Sequence, residues 1–315
     1  MCGRRSAWNK LIKNASHMTK ETFLKLIPFL KTSRQVFLHG WGEPLLHPHF
    51  LWMVRICKKY GSIVDFHTNG LLLTKDNCEE LVAAALDGIT ISIDAATSDT
   101  YKAIRGGDFK QLLWNLEQLS QIKTREKKNY PRVKFKYTLM KQNLDELALL
   151  VDLAIQYRIH KIEINNLVAW PNQSHLQKQS LFDQCSHVMD IYSQALNKAN
   201  QYGILMNYSG LKPNIIKNHC PFNNFTVLCD GSVGPCGAQK FILGNVNTTS
   251  LRDIWNNQEY RKLRKQFYTS QLPHRCDRCY VRTNTEKDYV NPDMSYVQET
   301  LELRRWDMCD KNKPS

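Results

Sequence analysis

The feature that most constrains this chain is an alternation of short apolar runs with amphipathic helical stretches through its first two thirds. Apolar runs at 35–39, 62–67, 89–94, 133–140 and 161–167 read as five strands. Between them lie helical patterns at 50–60, 75–86, 98–104, 109–123 and 144–157, and a long one at 177–202 closes the series. Strands separated by helices of this length predict parallel βαβ units with helices covering the sheet. A further helix opens at Thr19, whose hydroxyl can cap it, and carries Phe23, Leu26, Ile27 and Leu30 on one face. Pro28 is expected to kink that helix.

Polar residues and glycines gather where the strands end, which is where parallel α/β folds place their chemistry. The first strand runs into Gly40-Trp41-Gly42-Glu43-Pro44-Leu45-Leu46-His47-Pro48, and the second into Thr68-Asn69-Gly70. The third ends in Ser92-Ile93-Asp94, with Tyr101-Lys102-Ala103-Ile104-Arg105-Gly106 following. His39 and His47 suit structural or pocket-lining roles better than metal ligation.

After a boundary near Tyr208-Ser209-Gly210 the composition shifts to cysteine. Cys220, Cys229 and Cys236 precede a Cys276-Asp277-Arg278-Cys279 pair, a clip able to hold one metal or one corner of a cluster. Asp230-Gly231 is a hairpin signal, because glycine accepts the positive φ of such turns, and the return strand would present Cys236. Cys220, Cys236, Cys276 and Cys279 thus form a candidate four-thiolate site. Spacing alone leaves zinc and iron–sulfur open, since both use tetrahedral sulfur. Cys229 reads as buried rather than ligating, Cys309 as a distant reserve ligand, and Cys57, Cys78 and Cys185 as helix core.

With 315 residues, 42% hydrophobic, the chain can bury a full core and is expected to hold two domains, 1–210 and 211–315. No apolar run approaches the roughly eighteen residues of a membrane span, and no secretory signal opens the chain. The ten cysteines therefore read as thiols and ligands of a cytoplasmic protein rather than a disulfide framework. A net charge of +14 invites nucleic acid, an anionic peptide or a protein partner, yet the basic residues are dispersed over helix ends and solvated faces.

Taken in order, these motifs resemble the radical S-adenosylmethionine enzymes. The Gly40–Pro48 segment is similar to the family's "GGEPLLHP" motif with Trp41 inserted. The later strand ends, and Asn143-Leu144-Asp145-Glu146-Leu147, match its subsequent motifs. The cysteine-rich third, with Leu243-Gly244-Asn245-Val246, Ile254-Trp255-Asn256 and Cys-x-x-Cys, resembles the SPASM auxiliary-cluster domain in its shorter, twitch-like form. The resemblance implies a partial (β/α)6 TIM-like barrel lacking its first strand, followed by a small cysteine-rich domain.

What it implies about chemistry is specific. Glu43 and the backbone at Gly40 and Gly42 would hold the methionine ammonium of S-adenosylmethionine, Ser92 the ribose, and Arg105 the methionine carboxylate. Cys220, Cys236, Cys276 and Cys279 would ligate an auxiliary 4Fe–4S cluster. The family's first cluster uses Cys-x-x-x-Cys-x-x-Cys, of which only Cys2 is matched. The expectation is a chain that begins inside a longer protein, with its activity impaired. The implied reaction is hydrogen abstraction by a 5′-deoxyadenosyl radical from a peptide or small molecule, fed by a reductant such as flavodoxin or ferredoxin. Two further readings use the same residues: a basic scaffold with a structural four-cysteine zinc site that binds RNA or a protein, and a degenerate relative that keeps the auxiliary cluster alone.

Overall fold

The computed structural model describes residues 17–40, 42–167, 174–208, 221–237, 241–269, 271–273 and 276. They form two compact units. The larger contains a six-stranded parallel sheet in sequential order. Its strands are β1 (Gln35–Phe37), β2 (Ile63–Thr68), β3 (Gly88–Ser92), β4 (Arg132–Leu139), β5 (Lys161–Asn166) and β6 (Leu205–Tyr208). Sequential order arises because each helix returns the chain to the same end of the sheet before the next strand pairs.

Two of these features differ from the sequence expectation. A strand is present at Leu205–Tyr208, pairing with β5 through Ile162↔Met206 and Ile164↔Tyr208. The expected helix over 177–202 is broken into Ser174–Gln177, a 3-10 turn at Phe182–Gln184 and a helix over Cys185–Gln201. Cys185 is exposed at the start of that last helix rather than in the core, whereas Cys57 and Cys78 are fully buried. Burial pushes both buried thiols up to about 12, so neither is a nucleophile at neutral pH.

Alternation decides the two faces of the sheet. Along β4, Val133, Phe135, Tyr137 and Leu139 are buried, while Lys134, Lys136 and Thr138 between them are half-buried. The buried set continues across the register into Ile89, Ile91, Ile162 and Ile164, and packs with helix residues such as Val54, Leu81, Leu116 and Leu150. Each such side chain contributes about 1.5–3 kcal/mol on burial. The opposite face is polar, carrying Asp65, His67, Thr90, Ser92, Lys134, Lys136, Glu163 and Asn207 in neighbouring register positions. A parallel sheet covered by helices on both faces would be apolar on both; here only the helix-covered face is apolar, and the polar face lines the interior of the partial barrel.

The smaller unit holds the antiparallel strands β7 (Thr226–Val227), β8 (Ser232–Gly234) and β9 (Gly244–Asn245), then helices at Leu251–Asn256 and Gln258–Tyr268. The expected hairpin is present, with Gly231 at φ +85° and Ser232 N donating to Asp230 Oδ1 at 3.0 Å. The Lys20–Leu24 helix also belongs to this unit. Its Thr22 Oγ1 donates to Asn247 Oδ1 at 3.1 Å, and Lys25 Nζ to Asn247 O at 3.2 Å. Thr19 caps this helix as expected, and a second short helix begins at Ile27, one residue before Pro28.

Arg264 joins the last two helices. Its guanidinium lies 4.9 Å from the Trp255 ring and 5.2 Å from Tyr260, while Nη2 donates to Trp255 O at 2.6 Å. Among the described residues no helix is long and apolar enough to cross a membrane.

Candidate active site

The turn after β1 places Glu43 as the N-cap of the Pro44–Leu46 3-10 turn. Its carboxylate accepts from Leu45 N at 3.3 Å, from Thr68 Oγ1 at 2.8 Å and from Asn69 N at 2.9 Å. Glu43 is therefore fixed across the ends of β1 and β2. Thr68 Oγ1 in turn accepts from Gly70 N at 3.0 Å, and the buried Asn115 donates to Gly70 O at 2.9 Å. Gly70 has φ +79°, a conformation that favours glycine. Among the described residues, its chain neighbours aside, a Cβ added at Gly40 would meet no atom within 4 Å. Trp41 lies outside the described residues.

At the end of β3, Ser92 is half-buried and pairs in register with Lys136. Asp94, buried and at φ +55°, accepts from Arg105 Nη1 at 3.0 Å and from Thr138 N at 2.6 Å. One arm of Arg105 is so fixed, and its guanidinium carries further N–H donors. The segment after β4 completes the frame. Asn143 donates to Asp94 O at 3.0 Å and accepts from Met140 N at 2.9 Å. Glu146 accepts from Ala96 N at 2.5 Å and Thr97 Oγ1 at 2.6 Å, tying down the approach to the Ser98–Arg105 helix. This segment, a motif match without a role of its own in the sequence, is a latch joining two strand ends.

The inner face carries His39, expected to be structural or pocket-lining, together with His67, Lys136 and Glu163, which the sequence did not single out. His39 and His67 stack with ring centroids 4.2 Å apart at 8°. Burial, then the nearby Lys136 ammonium, lowers the basicity of His39. Burial, then His39 and Lys136, pushes His67 down to about 3. Both rings are neutral at physiological pH. Glu163 accepts from Lys161 at 2.6 Å. His39 lines this interior, while His47 is a turn residue whose Nδ1 accepts from His49 N at 3.0 Å.

Of the expected thiolates, Cys236 and Cys276 are half-buried, Cys236 two residues past the end of β8 and Cys276 donating its N–H to Pro273 O at 2.7 Å. Cys2, Cys220 and Cys279 lie outside the described residues, as does Cys309. Among the described residues no three metal-ligating side chains converge. Cys229 is half-buried rather than buried.

Comparison with known proteins gives two family matches. The model of the Radical SAM superfamily matches residues 1–154, and that of the SPASM iron-sulfur cluster-binding domain matches residues 219–280. The chain is 27% identical over 271 residues to the AdoMet-dependent heme synthase of Methanosarcina barkeri, covering 78% of this chain and 74% of that protein. It is 28% identical over 299 residues to the tungsten-containing aldehyde ferredoxin oxidoreductase cofactor-modifying protein of Pyrococcus furiosus, covering 84% and 80%.

Among solved structures, Streptococcus suis SuiB bound to S-adenosylmethionine superposes with a TM-score of 0.61 at 15% identity, a likeness of fold. The match covers 78% of this chain and 61% of SuiB, so the chain spans about three fifths of that protein. SuiB bound to its precursor peptide SuiA superposes with a TM-score of 0.57 at 13% identity.

Proposed function

We propose a function from one premise: the chain belongs to the radical SAM superfamily, carries a SPASM iron–sulfur cluster-binding domain, and is an enzyme of that family using S-adenosylmethionine and 4Fe–4S clusters. On our reading it abstracts hydrogen from a peptide or small-molecule substrate, with residues 1–210 as the catalytic portion and 211–315 as the auxiliary-cluster portion. The observation that carries this reading is the presence of opposite charges, each held by its own partners, at neighbouring strand ends. Glu43 is fixed at the ends of β1 and β2, and Arg105 at the end of β3.

The residues present fit an amino-acid zwitterion. A carboxylate held by three donors keeps one of its about four acceptor sites for an ammonium, a partly exposed guanidinium keeps donors for a carboxylate, and a Cβ at Gly40 would meet no described atom within 4 Å. We assign the ammonium to Glu43 with the backbone of Gly40 and Gly42, the ribose to Ser92 and the methionine carboxylate to Arg105. Cys236 and Cys276, with Cys220 and Cys279, would hold the auxiliary cluster, and Cys2 would belong to the first. Soft thiolates are the donors that iron–sulfur clusters take.

When bound, these groups supply a 5′-deoxyadenosyl radical for hydrogen abstraction and an acceptor for the electron left on the substrate, once a reductant such as flavodoxin or ferredoxin has provided the first. The chain's own work is to orient and enclose. The Asn143 and Glu146 latch fixes the strand ends, and the helices cover the outer face of the sheet, which holds the inner-face groups on a rigid support.

Titration of the anaerobically reconstituted chain with S-adenosylmethionine tests the site. Glu43→Gln and Arg105→Gln should each weaken binding roughly tenfold or more. Unchanged affinity in both variants contradicts the assignment.

A further inference from the structure

Beyond the cofactor site, the inner face of the sheet holds a cationic feature that no cofactor assignment uses. Lys134 and Lys136 sit two residues apart on the same face of β4, their Cα atoms about 6.6 Å apart by strand geometry. Both are half-buried, and among the described residues neither side chain makes a hydrogen bond or an ion pair. Lys134 lies in register beside Lys161, and Lys136 between Ser92 and Glu163. Strands are about 4.8 Å apart, so two ammonium-bearing residues stand on adjacent rungs.

The carboxylates around them act on them only through space, because each already has a hydrogen-bonded partner. Glu163 is committed to Lys161 at 2.6 Å, Asp65 accepts from Gln35 at 2.7 Å, and Asp94 is taken by Arg105 and Thr138 N. The stacked His39 and His67 rings add no negative charge. Withdrawing an ammonium from water is costly, and burial lowers the basicity of Lys136, with the Glu163 and Asp94 carboxylates offsetting only part of that effect. Proteins keep such local violations chiefly where a ligand completes the arrangement.

We infer that Lys134 and Lys136 bind an oxyanion of the substrate, a carboxylate or a phosphate ester, on the inner face of the partial barrel beside Ser92. Two cations at this spacing on one strand can engage separate oxygens of one such group. The inference rests on the reading of the strand ends as the cofactor site, because that reading makes the inner face the place where substrate lies.

The test is isothermal titration of the anaerobically reconstituted full chain, saturated with S-adenosylmethionine, with inorganic phosphate in one arm and glutarate in the other. Saturating the cofactor removes Arg105 as a competing oxyanion site. Wild type should bind at least one probe saturably, and the tighter of the two identifies the source as phosphate ester or carboxylate. Lys134→Gln and Lys136→Gln should each weaken that binding roughly tenfold or more, while Lys136→Arg retains it and the exposed Lys110→Gln leaves it unchanged.

Absence of saturable binding of either probe to wild type overturns the inference, as does binding that both Gln variants leave intact. Affinity for S-adenosylmethionine, and oxyanion titrations repeated without it, separate the two claims. Lost oxyanion binding with intact cofactor binding counts against the lysines alone. Lost cofactor binding with intact, lysine-dependent oxyanion binding counts against the cofactor site alone.

Discussion

Glu43 Oε1 accepts from Thr68 Oγ1 at 2.8 Å, joining residues 25 apart in sequence and fixing a carboxylate across two strand ends. The same carboxylate is proposed to meet the cofactor, so its mutation has two separable consequences. Thr68→Val removes the donor but keeps the charge. It should cost about 1 kcal/mol of stability by chemical denaturation and weaken S-adenosylmethionine binding less than Glu43→Gln does. Equal losses of binding in the two variants would show that positioning, not charge, is what the site uses.

The latch after β4 is expected to be structural. Glu146→Ala leaves the amides of Ala96 and Thr97 without their acceptor, and should lower unfolding free energy by about 1–3 kcal/mol in a denaturant titration. Asn143→Ala, which strips a fully buried amide from Asp94 O and Thr138 O, should cost at least as much. A neutral result for both would remove the latch from the account.

Much of this frame was legible in the sequence because each strand ends in residues whose chemistry is local. Glycines mark turns, Asp230-Gly231 marks a hairpin, and Thr19 marks a helix start. What escaped depended on partners distant in sequence. The strand Leu205–Tyr208 has four residues, only Met206 fully buried, and follows a helix with no turn signal longer than Gly203. The break in the expected 177–202 helix has no proline or glycine to announce it. Lys134, Lys136 and Glu163 alternate with apolar residues as they would on any solvated strand; only barrel curvature turns that face inward.

Stability should depend on pH through His67. Its folded value, pushed down by burial to about 3, lies below the ordinary value of 6.5, so the unfolded chain binds the proton more readily. Stability is therefore fully present above about pH 6.5 and declines as pH falls towards 3. Melting temperatures from pH 7.5 to pH 5 should fall for wild type and fall less for His67→Gln. Parallel slopes for the two proteins would contradict the assignment.

Gly88 tests the sheet itself. An added Cβ there would collide with the Asp65 carboxylate, which is buried and held by Gln35. Gly88→Ala should destabilise the larger unit by about 1–3 kcal/mol through overpacking. Pairing it with Asp65→Ala, which vacates the space, should recover part of that loss in a double-mutant cycle.

The measurement that bears most directly on the central claim is the metal content of the anaerobically reconstituted chain, compared with a Cys236→Ala/Cys276→Ala variant. The account predicts iron with a broad visible absorption, and a loss of about four irons per chain in the variant. Zinc without iron, or an iron content that the variant leaves unchanged, would contradict it.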